Sequence, residues 1–282
     1  MKPLRSSVAA LAILAVVACG GSTAHPPRGA PPPWFDPNTV LSRDPVSLAA
    51  GLTQASAALD ASIRQWRDPS TGAPPTDLML AGLYVQRVER LLAQRPLLAS
   101  ETLPRLRSAL RRSAADTVAA LRDLFRLTPP TRKRTFKTGP AAPAGALIGW
   151  YRTAQGRFGV GWNVLAAVNL VETDFNRIRS SSSAGAQGPM QFLPATWRAY
   201  GLGGNIDDPH DAILGAADYL HRNGAPGSYR RALFRYNPSQ LYVDAVLRLA
   251  RRIAAGPRSY FRYYAWQVFV RGPAGDRRIT GP

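Results

Sequence analysis

Between Val46 and Leu127 apolar residues recur at spacings of three and four, the period of an amphipathic helix. Breakers at Asp68-Pro69 to Pro75 and at Arg95-Pro96 divide this stretch into three helical segments. The second carries one stripe of Leu78, Leu80, Leu83, Tyr84, Val88, Leu91 and Leu92. The third, from Glu101 to Leu127, carries Leu103, Leu106, Leu110, Val118, Leu121 and Leu124, so a helical hairpin or small bundle is expected. The pattern lapses from Thr128 to Gly145, where Pro129-Pro130, Pro140 and Pro143 stand. Helices are then predicted over Leu147 to Phe158 and Asn163 to Glu172, joined by a turn at Gly159 to Gly161, and over Pro194 to Tyr200, Pro209 to Asn223, Tyr229 to Phe234 and Ser239 to Ile253. From Tyr260 to Val270 the chain is aromatic and β-branched, and Gly272-Pro273 to Gly275 resembles a hairpin turn. The fold class expected is mainly α, ending in a short strand pair.

The first residues follow a different logic. Basic Lys2 and Arg5 precede an apolar run from Val8 to Val17, which is too short for a stable bilayer span and reads as a removable export signal. The sequence Ala18-Cys19-Gly20 around the single cysteine resembles a bacterial lipoprotein signal, which implies acylation at Cys19 and a membrane tether there. A lone cysteine also excludes an intramolecular disulfide. Pro26-Pro27 and Pro31-Pro32-Pro33 mark an extended spacer. The organisation expected is a signal over 1–18, a tether over 19–45, a helical module over 46–128, a linker over 129–144, a second domain over 145–256 and a tail over 257–282.

Charge narrows the setting. The formal net charge is +19, almost all of it arginine. Such a surface suits anionic phospholipid or an anionic wall polymer. Nucleic acid is not expected as a partner: the chain is exported and shows no zinc-type Cys/His spacing, phosphate-cradling loop or RNA-binding aromatic signature. His210 and His221 lie too far apart, without a third ligand in suitable spacing, so neither a metal nor a cofactor is expected. The run Arg132-Lys133-Arg134 reads as a solvated charge cluster in the linker.

Candidate chemistry rests on a scarce residue. Only Glu89, Glu101 and Glu172 are glutamates, and Glu172 closes the strongly apolar run Val164 to Val171. A carboxyl group at that edge is partly desolvated, which raises its pKa and suits it to donate a proton near neutral pH. Downstream come Ser180 to Ser183 and then Ala184-Gly185-Ala186-Gln187-Gly188-Pro189-Met190-Gln191-Phe192-Leu193-Pro194-Ala195-Thr196. Asp207 to Leu220 and Arg235-Tyr236-Asn237-Pro238-Ser239-Gln240-Leu241-Tyr242-Val243 follow.

Together these blocks resemble the soluble lytic transglycosylase family, whose pattern runs Glu-Ser-x-Phe-Asn, Ser-x-x-Gly-Ala-x-Gly-Leu-Met-Gln, Pro-x-Thr and Ala-Tyr-Asn-x-x-x-x-Tyr-Val. The resemblance covers roughly residues 145–253. Here Thr173 replaces Ser, Pro189 replaces Leu, Arg235 replaces a small residue, and one extra residue separates Glu172 from Gly185. That insertion leaves Ser181, Ser182 and Ser183 all eligible as the substrate-contacting serine, with Ser182 first by spacing.

The resemblance implies a lysozyme-like helical domain. It would cut the bond between N-acetylmuramic acid and N-acetylglucosamine in peptidoglycan and leave a 1,6-anhydro end. Glu172 would serve as acid and then base. Tyr236 would hydrogen-bond or orient its carboxyl, Gln191 and Ser182 would hold sugar N-acetyl groups, and Asn237 would tether backbone. Met190 would line the substrate site or pack the core. Tyr242 reads as a core residue on one face with Val246 and Leu249. Two other readings stay open: a hydrolytic muramidase of the same fold, and a non-catalytic peptidoglycan-binding scaffold.

Overall fold

Helix α1 (Pro45–Gln65) begins where Asp44 accepts the Ser47 N–H at 2.8 Å and Pro45 takes the first helical position, which needs no donor. In this computed structural model the described residues are 32, 34, 36–70, 72–132 and 135–282. The export signal, Cys19 and most of the tether lie outside them, as do Lys133 and Arg134 of the basic run. α2 (Thr76–Gln94) packs against α1, burying Leu78, Leu83, Val88 and Leu92 of the predicted stripe.

The third predicted helix is two. α3 (Pro96–Thr102) and a single 3₁₀ turn (Leu103–Arg105) precede α4 (Ser108–Leu127). Pro96 starts a new helix instead of only ending the old one, because its fixed φ and missing N–H fit a first helical position. Pro104 falls inside the 3₁₀ turn, and Leu106 is already extended.

The second half contains α5 (Ala144–Phe158), α6 (Trp162–Thr173), α7 (Pro194–Tyr200), α8 (Pro209–Arg222), α9 (Tyr229–Tyr236), α10 (Gln240–Ile253) and α11 (Pro257–Tyr264). α6 is apolar on nearly every side, with Val164 to Leu170 all buried, so it is the central helix, and α5, α8 and α10 pack on it. α11 corrects the expectation of a strand from Tyr260. Gly256-Pro257 starts a helix, and Tyr260, Tyr263 and Tyr264 share its buried face at helical spacing. The strand pair lies just beyond: β1 (Phe269–Gly272) and β2 (Gly275–Arg278) run antiparallel, with Gly272 opposite Gly275 across the expected turn. The fold is mainly α with a terminal hairpin.

The described residues from 34 to 282 share one core. α4 lies along α10, with Val118 and Leu121 buried on one helix and Val246 and Leu249 on the other. Arg248 pairs with Asp123 at 2.5 Å at the edge of that contact. The Gln86 side chain on α2 exchanges two hydrogen bonds with the Gln267 backbone, at 2.8 and 2.9 Å. The 129–144 segment is itself bonded: Arg179 N–H donates to the Lys137 carbonyl at 2.8 Å and Gly139 N–H to that of Arg177 at 3.0 Å. Among the described residues no helix is long and apolar enough to cross a membrane.

Candidate active site

The end of α6 places the candidate acid. After Glu172 the backbone turns left-handed for three successive non-glycine residues, Asp174, Phe175 and Asn176, with φ of 52°, 59° and 69°. The N–H groups of Asp174 and Phe175 fold back onto the carbonyls of Leu170 and Asn169, closing the helix. Left-handed geometry at such residues is costly and persists only where surroundings impose it. Here Phe175 is fully buried against Tyr260 and Tyr264, and Arg177 donates to the Asp174 and Tyr264 carbonyls at 3.1 and 2.8 Å.

Thr173 ties this corner to the next motif. Its hydroxyl donates to the Pro189 carbonyl at 2.7 Å and accepts the Asn176 N–H at 3.0 Å. Asn169 donates to the same carbonyl at 2.9 Å and accepts from the Tyr151 hydroxyl at 2.6 Å. The hydroxyl, which serine and threonine share, is the part this position uses. Proline at 189 is tolerated for a similar reason, since the carbonyl makes the contact. Gly188 is constrained: it has φ of 72°, and a side chain there would collide with the Ile206 carbonyl.

Glu172 is half-buried. Tyr242 on α10 donates its hydroxyl to Glu172 Oε1 at 2.6 Å. Burial lifts the Glu172 carboxyl to about 7, and the Tyr242 hydrogen bond, which favours the ionised form, pulls the other way. Tyr242 is itself 1 % exposed, and burial beside Glu172 pushes its phenol well above the ordinary value, so the hydroxyl stays a donor.

The hydrogen bond expected from Tyr236 therefore comes from Tyr242. Tyr236 donates instead to the Met190 carbonyl at 2.5 Å, and its ring stacks nearly parallel on that of Tyr242, with centroids 6.4 Å apart. Its different partner follows from position: α9 ends at Tyr236, whereas Tyr242 lies on the face of α10 that packs against α6, although Tyr236 still feels the Glu172 charge. Tyr242 was legible as a core residue with Val246 and Leu249, and it is one. Its hydroxyl at the end of a buried ring was the signal for a polar partner.

The remaining predicted residues make other contacts. The Met190 side chain is fully buried, so its backbone carbonyl is what the site uses. Gln191 has φ of 49°, is half-buried, and donates from its side chain to the Gly188 carbonyl at 3.1 Å. Asn237 caps α9 through its backbone, with its N–H on the Leu233 carbonyl at 2.9 Å. Ser182 is exposed, and its hydroxyl accepts the Ala184 and Ala186 N–H groups at 3.2 and 3.0 Å, which shapes the loop. Ser181, Ser182 and Ser183 border a cavity of about 420 Å³ that Val171 and Asp174 also line.

Asp174 differs from Glu172 in surroundings. Its Oδ1 lies 3.5 Å from Arg177, and burial lifts its carboxyl to about 6 while Arg177 and Arg90 oppose the rise. Asp208 and Asp211 are engaged at the start of α8, accepting N–H groups from Asp211 and Asn205 at 3.0 and 2.9 Å. With His210 they bring ligand-type atoms within 4.8 Å of one another, a grouping that histidine spacing alone did not suggest.

Comparison with known proteins matches the stretch of chain that carries these motifs. The family described as Transglycosylase SLT domain matches residues 150–252. The chain carries a soluble lytic transglycosylase domain. A similar curated protein is the Membrane-bound lytic murein transglycosylase F of Thiobacillus denitrificans (strain ATCC 25259 / T1), 28 % identical over 118 residues. That match covers 39 % of this chain and 25 % of the relative, so the chain spans about a quarter of the relative's length. No solved structure matches the chain. The SLT domain thus runs from within α5 to the end of α10 and contains Glu172, Tyr236 and Tyr242. α1 to α4 and the terminal hairpin lie outside the matched residues.

Proposed function

We propose that this protein is an exported lytic transglycosylase that cleaves the bond between N-acetylmuramic acid and N-acetylglucosamine in peptidoglycan and leaves a 1,6-anhydromuramic end. The observation that carries the reading is the Glu172 carboxyl, held near a pKa of about 7 by burial within an SLT domain and oriented by Tyr242. Such a group is populated in both protonation states near neutral pH. Protonated Glu172 donates to the glycosidic oxygen as the bond to the anomeric carbon breaks. The resulting carboxylate takes the proton of the muramic acid 6-hydroxyl, whose oxygen attacks the anomeric carbon and closes the anhydro ring. The cycle returns Glu172 to its protonated form and consumes no water.

One carboxyl serves both steps. Hydrolytic glycosidases commonly need a second carboxylate on the other side of the scissile bond. Asp174 lies against Arg177, Asp208 caps α8 and Asp211 holds the Asn205 N–H, which favours the single-acid route. Gln191 and the Ser181 to Ser183 loop hold the sugar N-acetyl groups in this reading, and acylation at Cys19 tethers the enzyme to the membrane. The lipoprotein-like sequence at the N-terminus supports the tether.

Purified protein acting on isolated sacculi tests the proposal. Wild type releases muropeptides one water lighter than reducing-end products, and Glu172→Gln releases none. Reducing ends alone would establish a muramidase. Wall binding without release by either protein would establish a scaffold.

A further inference from the structure

α9 presents Arg230, Arg231, Phe234 and Arg235 on one exposed face, while Ala232 and Leu233 are buried behind it. With Pro238 and Gln240 these four line a surface recess of about 590 Å³. Arg230 is already committed: it pairs with Asp244 at 2.8 Å and bonds Gln240 at 3.0 Å, which fixes it to α10 as one wall. Arg231 and Arg235 have no carboxylate partner among the described residues. Between them Phe234 is 39 % exposed, one of few large apolar side chains left open to solvent.

The recess is joined to the proposed catalytic corner through the chain of α9. Arg235 immediately precedes Tyr236, whose ring stacks on Tyr242, the residue bonded to Glu172. The Arg235 carbonyl is fixed by the Tyr219 hydroxyl at 2.7 Å, so the root of this arginine is held in place. Two uncompensated guanidinium groups flanking an exposed aromatic ring match a short ligand that carries carboxylates and small apolar groups together. Alternating neutral sugars offer no such combination. The peptide stem on muramic acid does, because it carries free carboxylates and alanine methyl groups on one short chain.

We infer that this recess binds the acidic peptide stem of the glycan strand and makes the enzyme prefer stem-bearing over stem-free strands. The inference rests on the proposed substrate, peptidoglycan. Arg231 and Arg235 pair with stem carboxylates, and Phe234 covers the methyl groups. A phosphate-rich polymer offers charge to the same guanidinium groups but nothing to the ring.

Two measurements test this. The first compares kcat/KM at low salt on intact strands and on strands stripped of stems by an amidase. Wild type favours intact strands by about tenfold, the scale of one or two charge-assisted contacts at a partly exposed site. In R231Q/R235Q the ratio falls to about one, while the same charge change on α4, R111Q/R112Q, keeps it. The second titrates the free stem tetrapeptide into Glu172→Gln protein, with or without R231Q/R235Q. The arginine substitutions weaken binding about tenfold, and Phe234→Ala weakens it less. A wild-type ratio near one, a ratio that survives R231Q/R235Q, or equal tetrapeptide binding by both proteins would overturn the inference. Inorganic polyphosphate that binds these arginines more tightly than the tetrapeptide, regardless of Phe234, would do the same. If no strand is cleaved at all, the proposed reaction fails, and the titration still decides the recess.

Discussion

Glu89 on α2 and Glu172 on α6 are both carboxyls whose proton affinity burial has raised, to about 8 and about 7. They differ in what surrounds them. Glu89 is 6 % exposed and feels mainly the field of Arg262, which is itself paired with Asp60. Glu172 is half-buried at a helix end, holds a 2.6 Å hydrogen bond, and sits where the 188–191 loop and α10 meet α6. A raised pKa therefore does not mark a site unless the carboxyl is also accessible and oriented.

Substitution separates the two most sharply. Glu172→Gln should lower muropeptide release by about 10³-fold, the scale of lost acid–base catalysis, while Glu89→Gln stays within about twofold of wild type. A reversed pattern would move the acid to α2. Next in size, Tyr242→Phe removes a bond that stabilises the Glu172 carboxylate. Its pKa then rises, so the fall of kcat/KM with pH that begins near 7 should shift upward, with activity at neutral pH down by about tenfold. A downward shift would show that the hydroxyl stabilises the protonated form.

The smallest effect is on stability. Both folded pKa values lie above the ordinary 4.5, so the folded state binds these protons more tightly than the unfolded chain does. Stability from this source is complete below about pH 4.5 and is lost as pH rises through about 7 for Glu172 and about 8 for Glu89. Either Glu→Gln change should therefore gain about 1 kcal/mol in urea unfolding at pH 9, with no matching gain at pH 4. Equal gains at both pH values would place the effect in packing.

Local chemistry explains what could be read from the chain. Helices such as α8 carried their own signals: Asp208 caps, Pro209 starts and an apolar face follows, so the expected range, Pro209 to Asn223, differs from the observed one by a single residue. The tail misled because its residues suit either structure. Tyr260, Tyr263 and Tyr264 favour strands by type but helices by spacing, and Gly256-Pro257 decided the matter. At the site, Glu172 was reachable through its apolar run and the ordered motifs after it. The Tyr242 contact joins residues 70 positions apart, and only the packing of α10 on α6 brings them together. The double hold on the Pro189 carbonyl was hidden for the same reason.

The contact between α4 and α10 bears on how such a protein can be divided. The family pattern begins at residue 150, so a recombinant fragment cut there would follow the matched boundary. Removing α4 would uncover the Val246 and Leu249 side of the helix that carries Tyr242 and leave Arg248 without Asp123. Such a fragment would present an apolar flank to solvent and favour self-association. For this protein the portable piece is larger than the recognisable one, and a graft or truncation that preserves function has to take the preceding helices along.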